Sequence, residues 1–523
     1  MSTSSSTTFW NEYVINNADV EHLYGYLLEH PEPTVLETLL SRLVEHRIEQ
    51  EQKRRVQLTA DAKFYQPRET YDVGQLVTFT ALNNRQAVVQ AIRPGDNSRL
   101  ASFQVIAVRF NDDGSTREFA SVYPFEHPLN DQAVMAMGGA DLEAAEVLEQ
   151  FGASLKTRLE ARLRADKEFV HQDDKWLLRG LLSEVNQGHI NLAEAAIEQN
   201  SEAMTTSEIG RVLEMVHSGK ESNALFSLEN ALRRDEQFED VGPRGERRWY
   251  LTRLEPESTR VLPPLLDLSS QTAAPALPSA LETIYTDLER QTESDADAVV
   301  EASEDVTLVL TYPHRRAGTL PINSAIRHLL PGFDNPRVKI TLVDGQSNTR
   351  MPAWIVRDGQ FIFGLGAWYD SHKLHPGALV SVRRGYDANS LIIDYSPQRE
   401  RSLWVRVART QGGRLTFAQE KKPLAHKYDE EMLIMIGDAA GLDSVTQSSR
   451  HRQAMELWLV EIFPELAKLS AGGRVHAKTL YSAVNFGKRT TPGLFFSTLA
   501  SSLSVASVGG GYYVLEAVKD LVS

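Results

Sequence analysis

A histidine and two arginines stand together in the turn-like string Tyr312-Pro313-His314-Arg315-Arg316-Ala317-Gly318, inside a stretch rich in the same chemistry. Residues 306 to 428 hold 18 Lys+Arg against 8 Asp+Glu, a surplus of +10 in a chain whose formal net charge is −15. About −25 is left for the rest of the chain. A chain divided in this way can set one module on a polyanion while the remainder stays dispersed. Guanidinium groups bond phosphate oxygens and guanine edges, so the segment reads as a nucleic-acid contact surface.

Such a surface needs a body to hold it. Val306 to Leu310 is an apolar, β-branched run, and after the basic turn come a short strand, Thr319 to Ile322, and a helix capped by Asn323. Ala325, Ile326, Leu329 and Leu330 form that helix's apolar side. Strand patterns recur from Val338, Pro352, Gln360, Ala378 and Ser390, the fourth of them ending in Arg383-Arg384, and one helical turn is predicted at Trp368 to Leu374.

The strings AGTLPINSAIRHLLP, VKITLVDG and GLGAWYDSHKLHPGALVSV, in this order between Ala317 and Val382, resemble the B3-type pseudobarrel DNA-binding domain of plant transcription factors and some restriction-enzyme recognition domains. The resemblance implies two arms that grip the major groove. Carried over, the first would be His314, Arg315 and Arg316, and the second Arg357, Asp358, Gly359 and Gln360. Arginine on guanine or phosphate and glutamine on adenine is the chemistry such arms need, and Asp358 departs from it. Without the resemblance, the same residues read as a β-barrel with solvated basic loops.

An internal repeat is the second feature. Leu159 to Phe169 and Leu228 to Phe238 share the pattern L-E-x-x-L-R-x-D-x-x-F, and each copy runs on to a tryptophan, Trp176 or Trp249. Leucines four apart share a helical face, and the Phe and Trp suit a hairpin folded over it, which is the second half of a winged helix. The second wing is expected to be longer and more basic, through Arg244, Arg247 and Arg248.

A weaker third copy closes the chain. Helices are predicted at Met455 to Leu469 and His476 to Val484, followed by Phe495, Leu499, Val505 and Val508 and a hairpin completed by Tyr512 to Leu515. This copy resembles the winged helix at the start of the RNA polymerase delta subunit and related HARE-type modules. The resemblance implies a third helix that docks on DNA, with Lys488, Arg489, Thr490 and Thr491 at its start, and Lys220, Ser222 and Asn223 in the corresponding place of the second copy. Winged helices also dock proteins. The first copy, with an acidic stretch from Asp141 to Glu149 and a wing without basic excess, points that way.

Residues 8 to 55 read as a small helical hairpin, and 64 to 129 as short strands joined by hairpin turns such as Pro94-Gly95-Asp96-Asn97. On those strands Arg85, Arg93, Arg99 and Arg109 suit a solvated or protein-binding face better than a nucleic-acid one. From Glu255 to Asp305 there are 12 Asp+Glu against 2 Lys+Arg, a linker with one helix predicted at Leu281 to Arg290. That linker either simply solvates or folds over the basic face as a competitor for DNA.

The expected fold class is therefore multi-domain α+β: a small SH3-like β-barrel, three winged-helix modules and a B3-like β-pseudobarrel. Its domains would be a helical segment at 1–58, the SH3-like barrel at 62–130, winged helices at 131–182, 183–254 and 450–518, the acidic linker at 255–305, and the basic pseudobarrel with an extra hairpin at 306–440.

Catalytic chemistry is hard to find. The chain lacks G-x-x-x-x-G-K-[ST], H-E-x-x-H and G-x-S-x-G, and GLGAW from Gly364 has the wrong spacing for a dinucleotide loop. His476-Ala477-Lys478 begins like a phospholipase-type nuclease motif with no aspartate at the needed distance. With no cysteine there is no disulfide or thiolate site, and no apolar run approaches a membrane span. The expectation is a non-enzymatic protein of the cytoplasm and nucleoid, with no cofactor or metal and no membrane partner.

Its expected function is DNA binding, as a bacterial transcriptional regulator or nucleoid-associated factor. The contact residues would be His314, Arg315, Arg316, Arg357, Gln360, Arg383, Arg384, Lys488, Arg489, Thr490, Arg244, Arg247 and Arg248, on double-stranded DNA. RNA polymerase or another protein would be the partner of the winged helices. Two alternatives stay open: a scaffold bound to RNA polymerase or to other proteins, and the recognition subunit of a restriction or defence system.

Overall fold

A computed structural model describes residues 9–60, 63–82, 85–96, 102–130, 143–215, 221–268, 277, 279–294, 302–449 and 455–516. It is mixed α+β, with six sheets among the described residues. The chain divides into two compact units, residues 1–184 with 216–230, and 185–215 with 231–523. Among the described residues no helix is long and apolar enough to cross a membrane, and no cluster of three or more His, Asp or Glu is placed to hold a metal ion.

In the first unit, helix Ala144–Arg164 repeats an apolar side chain every four residues, Val147, Phe151, Leu155, Leu159 and Leu163, all buried. This spacing makes one continuous stripe. A hairpin, Phe169–Gln172 with Lys175–Leu178, is too small to cover it, and the rest of the cover comes from the chain's start. Helix Asn17–Glu29, held at its N-terminus by an Asn16–Asp19 capping box, and helix Leu36–Ala60 supply Leu23, Leu27, Leu39 and Leu43 to the same core. Strand Thr34–Val35 pairs with Lys175–Leu178.

The N-terminal helices are therefore the first half of a helix–strand–helix–helix–hairpin unit, not the separate segment expected. Between the halves, in chain order, lies a five-stranded sheet from Lys63 to Ser121 whose strands neighbour one another in sequence order. It closes on Tyr65, Val77, Phe79, Val89, Ile106 and Phe110.

The same order of elements occurs twice more. Helix Gln187–Asn200, strand Met204–Thr205, helix Thr206–Val212, helix Glu221–Arg234 and hairpin Phe238–Asp240 with Arg248–Leu251 form the second copy. Helix Met455–Ala467, strand Val475–His476, helix Ala477–Val484, helix Pro492–Ser501 and hairpin Val505–Gly509 with Tyr512–Leu515 form the third. In all three the short early strand pairs with the second hairpin strand. The connection inside the second hairpin, 241–247, is the longest of the three, as its Gly-Pro-Arg-Gly composition leads one to expect.

The basic stretch forms a seven-stranded sheet at the predicted positions, running in space as Asp305–Val309, Leu379–Arg384, Ser390–Tyr395, Arg337–Asp344, Arg350–Val356, Phe361–Phe363 and Thr319–Pro321. Its interior is filled by Leu308, Ile340, Ile355, Ile362, Val380 and Ile393. A long hairpin, Pro397–Gln411 with Arg414–His426, forms a separate sheet with Ile434–Ile436.

The acidic stretch is not only a linker. Its helix, Ser279–Gln291, buries Leu281 and Leu288 in the core shared by the hairpin and the third copy, and Thr292, Glu293 and Ser294 are buried directly after it.

Candidate nucleic-acid interface

The first expected arm is a fastening, not a projection. Tyr312–Ala317 is helical, with Pro313 in its first turn and Gly318 at φ +65° ending it. A side chain on Gly318 would meet the backbone of Gly366 at 2.8 Å. Tyr312 stacks on Phe486 at 4.2 Å between ring centres.

His314 is fully buried. Its Nε2 donates to Glu293 Oε1 at 2.7 Å, which leaves Nδ1 to accept from the Thr319 hydroxyl at 2.8 Å. Burial lowers its pKa despite the neighbouring carboxylate, so it stands there as a neutral ring. Arg315 donates to the Leu374 carbonyl and to Asp370, each at 2.6 Å. Arg316 forks onto Asp443 at 3.0 and 2.6 Å.

The second arm is a tight turn. Arg357 donates to the Asp334 carbonyl at 2.7 Å, and Gln360 sits at φ +49°. The carbonyls of Gly359 and Gln360 accept from Arg489 at 2.9 and 3.3 Å. Arg489 is itself buried and forks onto Glu293 at 2.8 and 2.9 Å, with a further bond to the Leu266 carbonyl at 3.0 Å. Burial alone would raise the Glu293 carboxyl, but Arg489 and His314 outweigh it and hold the pKa at about 2.

A guanidinium whose donors are all spent inside the fold has none left for phosphate. Thr490 and Thr491 are also buried, and the Thr491 hydroxyl caps helix Pro492–Ser501. The expected contacts by His314, Arg489 and Thr490 are corrected on this ground. Lys488 beside them is half-buried.

The second wing is equally engaged, within the unit it shares with the seven-stranded sheet. Arg244 forks onto Asp334, Arg247 bonds Asp240 at 3.0 Å, and Arg248 reaches Glu246 at 2.6 Å. The wing's backbone joins the sheet through Lys339 N to the Val241 carbonyl at 2.9 Å and Arg244 N to the Gly332 carbonyl at 2.6 Å. Arg337 lies between Glu239 and Glu255, and its Nε is 3.0 Å from Glu255 without the alignment of a hydrogen bond. Burial, and then Glu239, push the Glu255 carboxyl up to about 7. Arg244 ties the wing to the sheet's flank, and Arg247 and Arg248 are paired within the wing itself, so their expected duplex contacts are corrected as well.

The remaining expected residues fall in different places. Arg383 and Arg384 are exposed at the end of their strand, where Arg384 bonds the His328 carbonyl and both line a shallow cleft of about 370 Å³. Asn223 is buried, bonding the Pro31 carbonyl at 2.6 Å, Ser222 is exposed, and Lys220 lies outside the described residues. On the five-stranded sheet Arg85 pairs with Asp112 and Asp113 and Arg93 with Glu118, while Arg99 lies outside the described residues.

A group of cations that the fold leaves unpaired lies on the long hairpin. Residues 397–427 contain 8 Lys+Arg against 2 Asp+Glu. Among the described residues no carboxylate lies within ion-pair distance of the exposed Arg399, Arg401, Lys421 or Lys427, whereas Lys422 is held by Glu420 at 3.0 Å. Trp404 lies directly opposite Lys421 and is 69 % exposed.

Alternation explains the exposure. Ala408 and Phe417, on the same face four residues further along each strand, are buried in a core with Trp458 and Ile462 of helix Met455–Ala467, and that cover ends before Trp404 is reached. Val405 and Val407, on the other face, pack with Leu424, Leu433 and Met435. Sequence reading counted these cations in the surplus but singled out none of them. The available signal was the density of cations about one tryptophan in a strand pair, Arg399, Arg401 and Trp404 on one strand and Lys421-Lys422 on the other.

Comparison with known proteins gives no matching family model, no similar curated protein and no similar solved structure.

Proposed function

We propose that this chain is a non-enzymatic DNA-binding protein of the regulatory or nucleoid-associated kind, whose contact surface is the hairpin 397–427 and not the loops at 312–317 and 357–360. One observation carries the reading: among the described residues, four exposed cations with no carboxylate in ion-pair range, Arg399, Arg401, Lys421 and Lys427, lie on or next to one strand pair that also bears an uncovered tryptophan, while Arg327, Lys373 and Arg383, also exposed, lie on separate segments elsewhere in the basic stretch. A two-stranded ribbon has the dimensions to approach a nucleic-acid groove, and unpaired cations release counterions when they meet phosphate.

In this reading the seven-stranded sheet is a B3-like pseudobarrel kept as a rigid support, the five-stranded sheet is SH3-like, and the three repeated units are winged helices. The engagement of Arg244, Arg247 and Arg248 within the fold favours protein docking over groove contact for the second of them. RNA polymerase is the partner that the delta-like resemblance suggests for such docking.

Binding of labelled duplex by the full chain, measured by anisotropy over a salt series, tests the proposal. The variant R399A/R401A/K421A/K427A is expected to weaken binding and to flatten the dependence of log K on log salt by about one for every phosphate no longer neutralised. An unchanged affinity and slope would remove the hairpin from the function.

A further inference from the structure

We infer that the hairpin takes a strand with unpaired bases, using Trp404 as a stacking platform; this rests on the nucleic-acid reading above and narrows its substrate class. Cross-strand pairs on one face of the ribbon run Ser402 with Pro423, Trp404 with Lys421, and Arg406 with Gln419. Ser402 and Pro423 are exposed and short, so nothing stands over the indole from that side. Arg406 is turned away to the Glu430 and Glu431 carbonyls at 3.1 and 3.4 Å. The face thus offers one large aromatic surface with the Lys421 ammonium beside it; Arg401, opposite Leu424, lies on the other face of the ribbon, and Arg399 and Lys427 lie toward its open end.

Indole has one hydrogen-bond donor and no acceptor, so it reads base edges poorly. Its strength is its face, which needs the face of a base in return. In a duplex those faces are covered by neighbouring base pairs, whereas in a single strand they are free, and cations beside an aromatic platform then track the backbone. A protein partner would find the same indole, but the unpaired Lys421 beside it, with Arg399, Arg401 and Lys427 unpaired further along the same hairpin, favours a phosphate-bearing one.

The experiment compares the full chain with Trp404→Ala and Trp404→Phe on a labelled oligothymidylate, an oligouridylate of equal length and a duplex of equal length. Thermal melts check that the exposed substitution leaves folding intact. The expected result is tighter binding of at least one single strand than of the duplex. Trp404→Ala should weaken single-strand binding by roughly five- to a hundredfold, Trp404→Phe should retain most of it, and duplex binding should be unaffected. The two single strands separate DNA from RNA as the source.

Equal weakening on duplex and single strand, or none on either, overturns the stacking platform and leaves the nucleic-acid reading standing. Binding of no oligonucleotide by the unaltered chain sinks both. A Trp404→Ala variant that changes only self-association would assign the face to a second copy of the chain and overturn the inference.

Discussion

The loops at 312–317 and 357–360 and the hairpin at 397–427 are built from the same residue types, yet they have opposite fates. In the loops each basic group is met by an acceptor: Arg315 by Asp370, Arg316 by Asp443, His314 by Glu293, and Arg357 by the Asp334 carbonyl. In the hairpin the only acids are Glu400 and Glu420, too few to neutralise eight cations. A charge surplus says how much cation a segment owns, and only the pairing says how much of it is available to a partner.

The comparison breaks most directly at Glu293. Replacing it with alanine would leave Arg489 buried without its counter-charge, and the expected cost is about 3–5 kcal/mol in urea unfolding of the unit that contains it. A cost below about 1 kcal/mol would mean that Arg489 can turn outward, which would return it to the groups free for phosphate. The depressed Glu293 carboxyl contributes stability that is present at neutral pH and is lost as pH falls from 4.5 towards about 2.

A smaller effect of opposite sign is expected at Glu255. Its folded pKa is raised from 4.5 to about 7, so the folded form holds the proton more tightly than the unfolded chain and this carboxyl costs stability as pH rises across that window. Glu255→Gln should therefore stabilise the protein by about 1–2 kcal/mol at pH 8 and by almost nothing at pH 4. Equal stability of the two proteins at pH 8 would show that Arg337 fully compensates both carboxylates.

Arg315→Ala with Arg316→Ala should cost about 1–2 kcal/mol of stability and leave nucleic-acid affinity unchanged, because both guanidiniums already have partners. The smallest effect is reserved for Lys421→Ala. Stability should stay within about 0.5 kcal/mol, while the salt slope of binding falls by about one. If the pair of arginines moves affinity and the lysine does not, the assignment of roles is reversed.

Much of this was legible locally. The i, i+4 stripes of Leu159 and Leu163 and of Leu228 and Leu232, the alternating strands from Val338 to Tyr395, and the capping residue Asn323 each declare their element within a few residues. The basic turn at 312–317 misled because Tyr-Pro-His-Arg-Arg has the composition of a loop, and its helix is stabilised from outside, by Phe486 and Glu293. The N-terminal helices misled because the strand order that joins them to the first hairpin spans the whole five-stranded sheet.

What the sequence by itself determined was the inventory: the elements, the thrice-used helical unit and the size of the basic surplus, since periodicity and net charge are properties of neighbours in the chain. Only the tertiary structure decided which cations are spent. Ion pairs form between groups brought together by packing, and here the partners lie 90 residues apart for Arg244 and Asp334, 127 for Arg316 and Asp443, and 196 for Arg489 and Glu293. Coulomb attraction acts over ångströms of space and is blind to separation along the chain, so no local pattern could have told a fastening arginine from a free one.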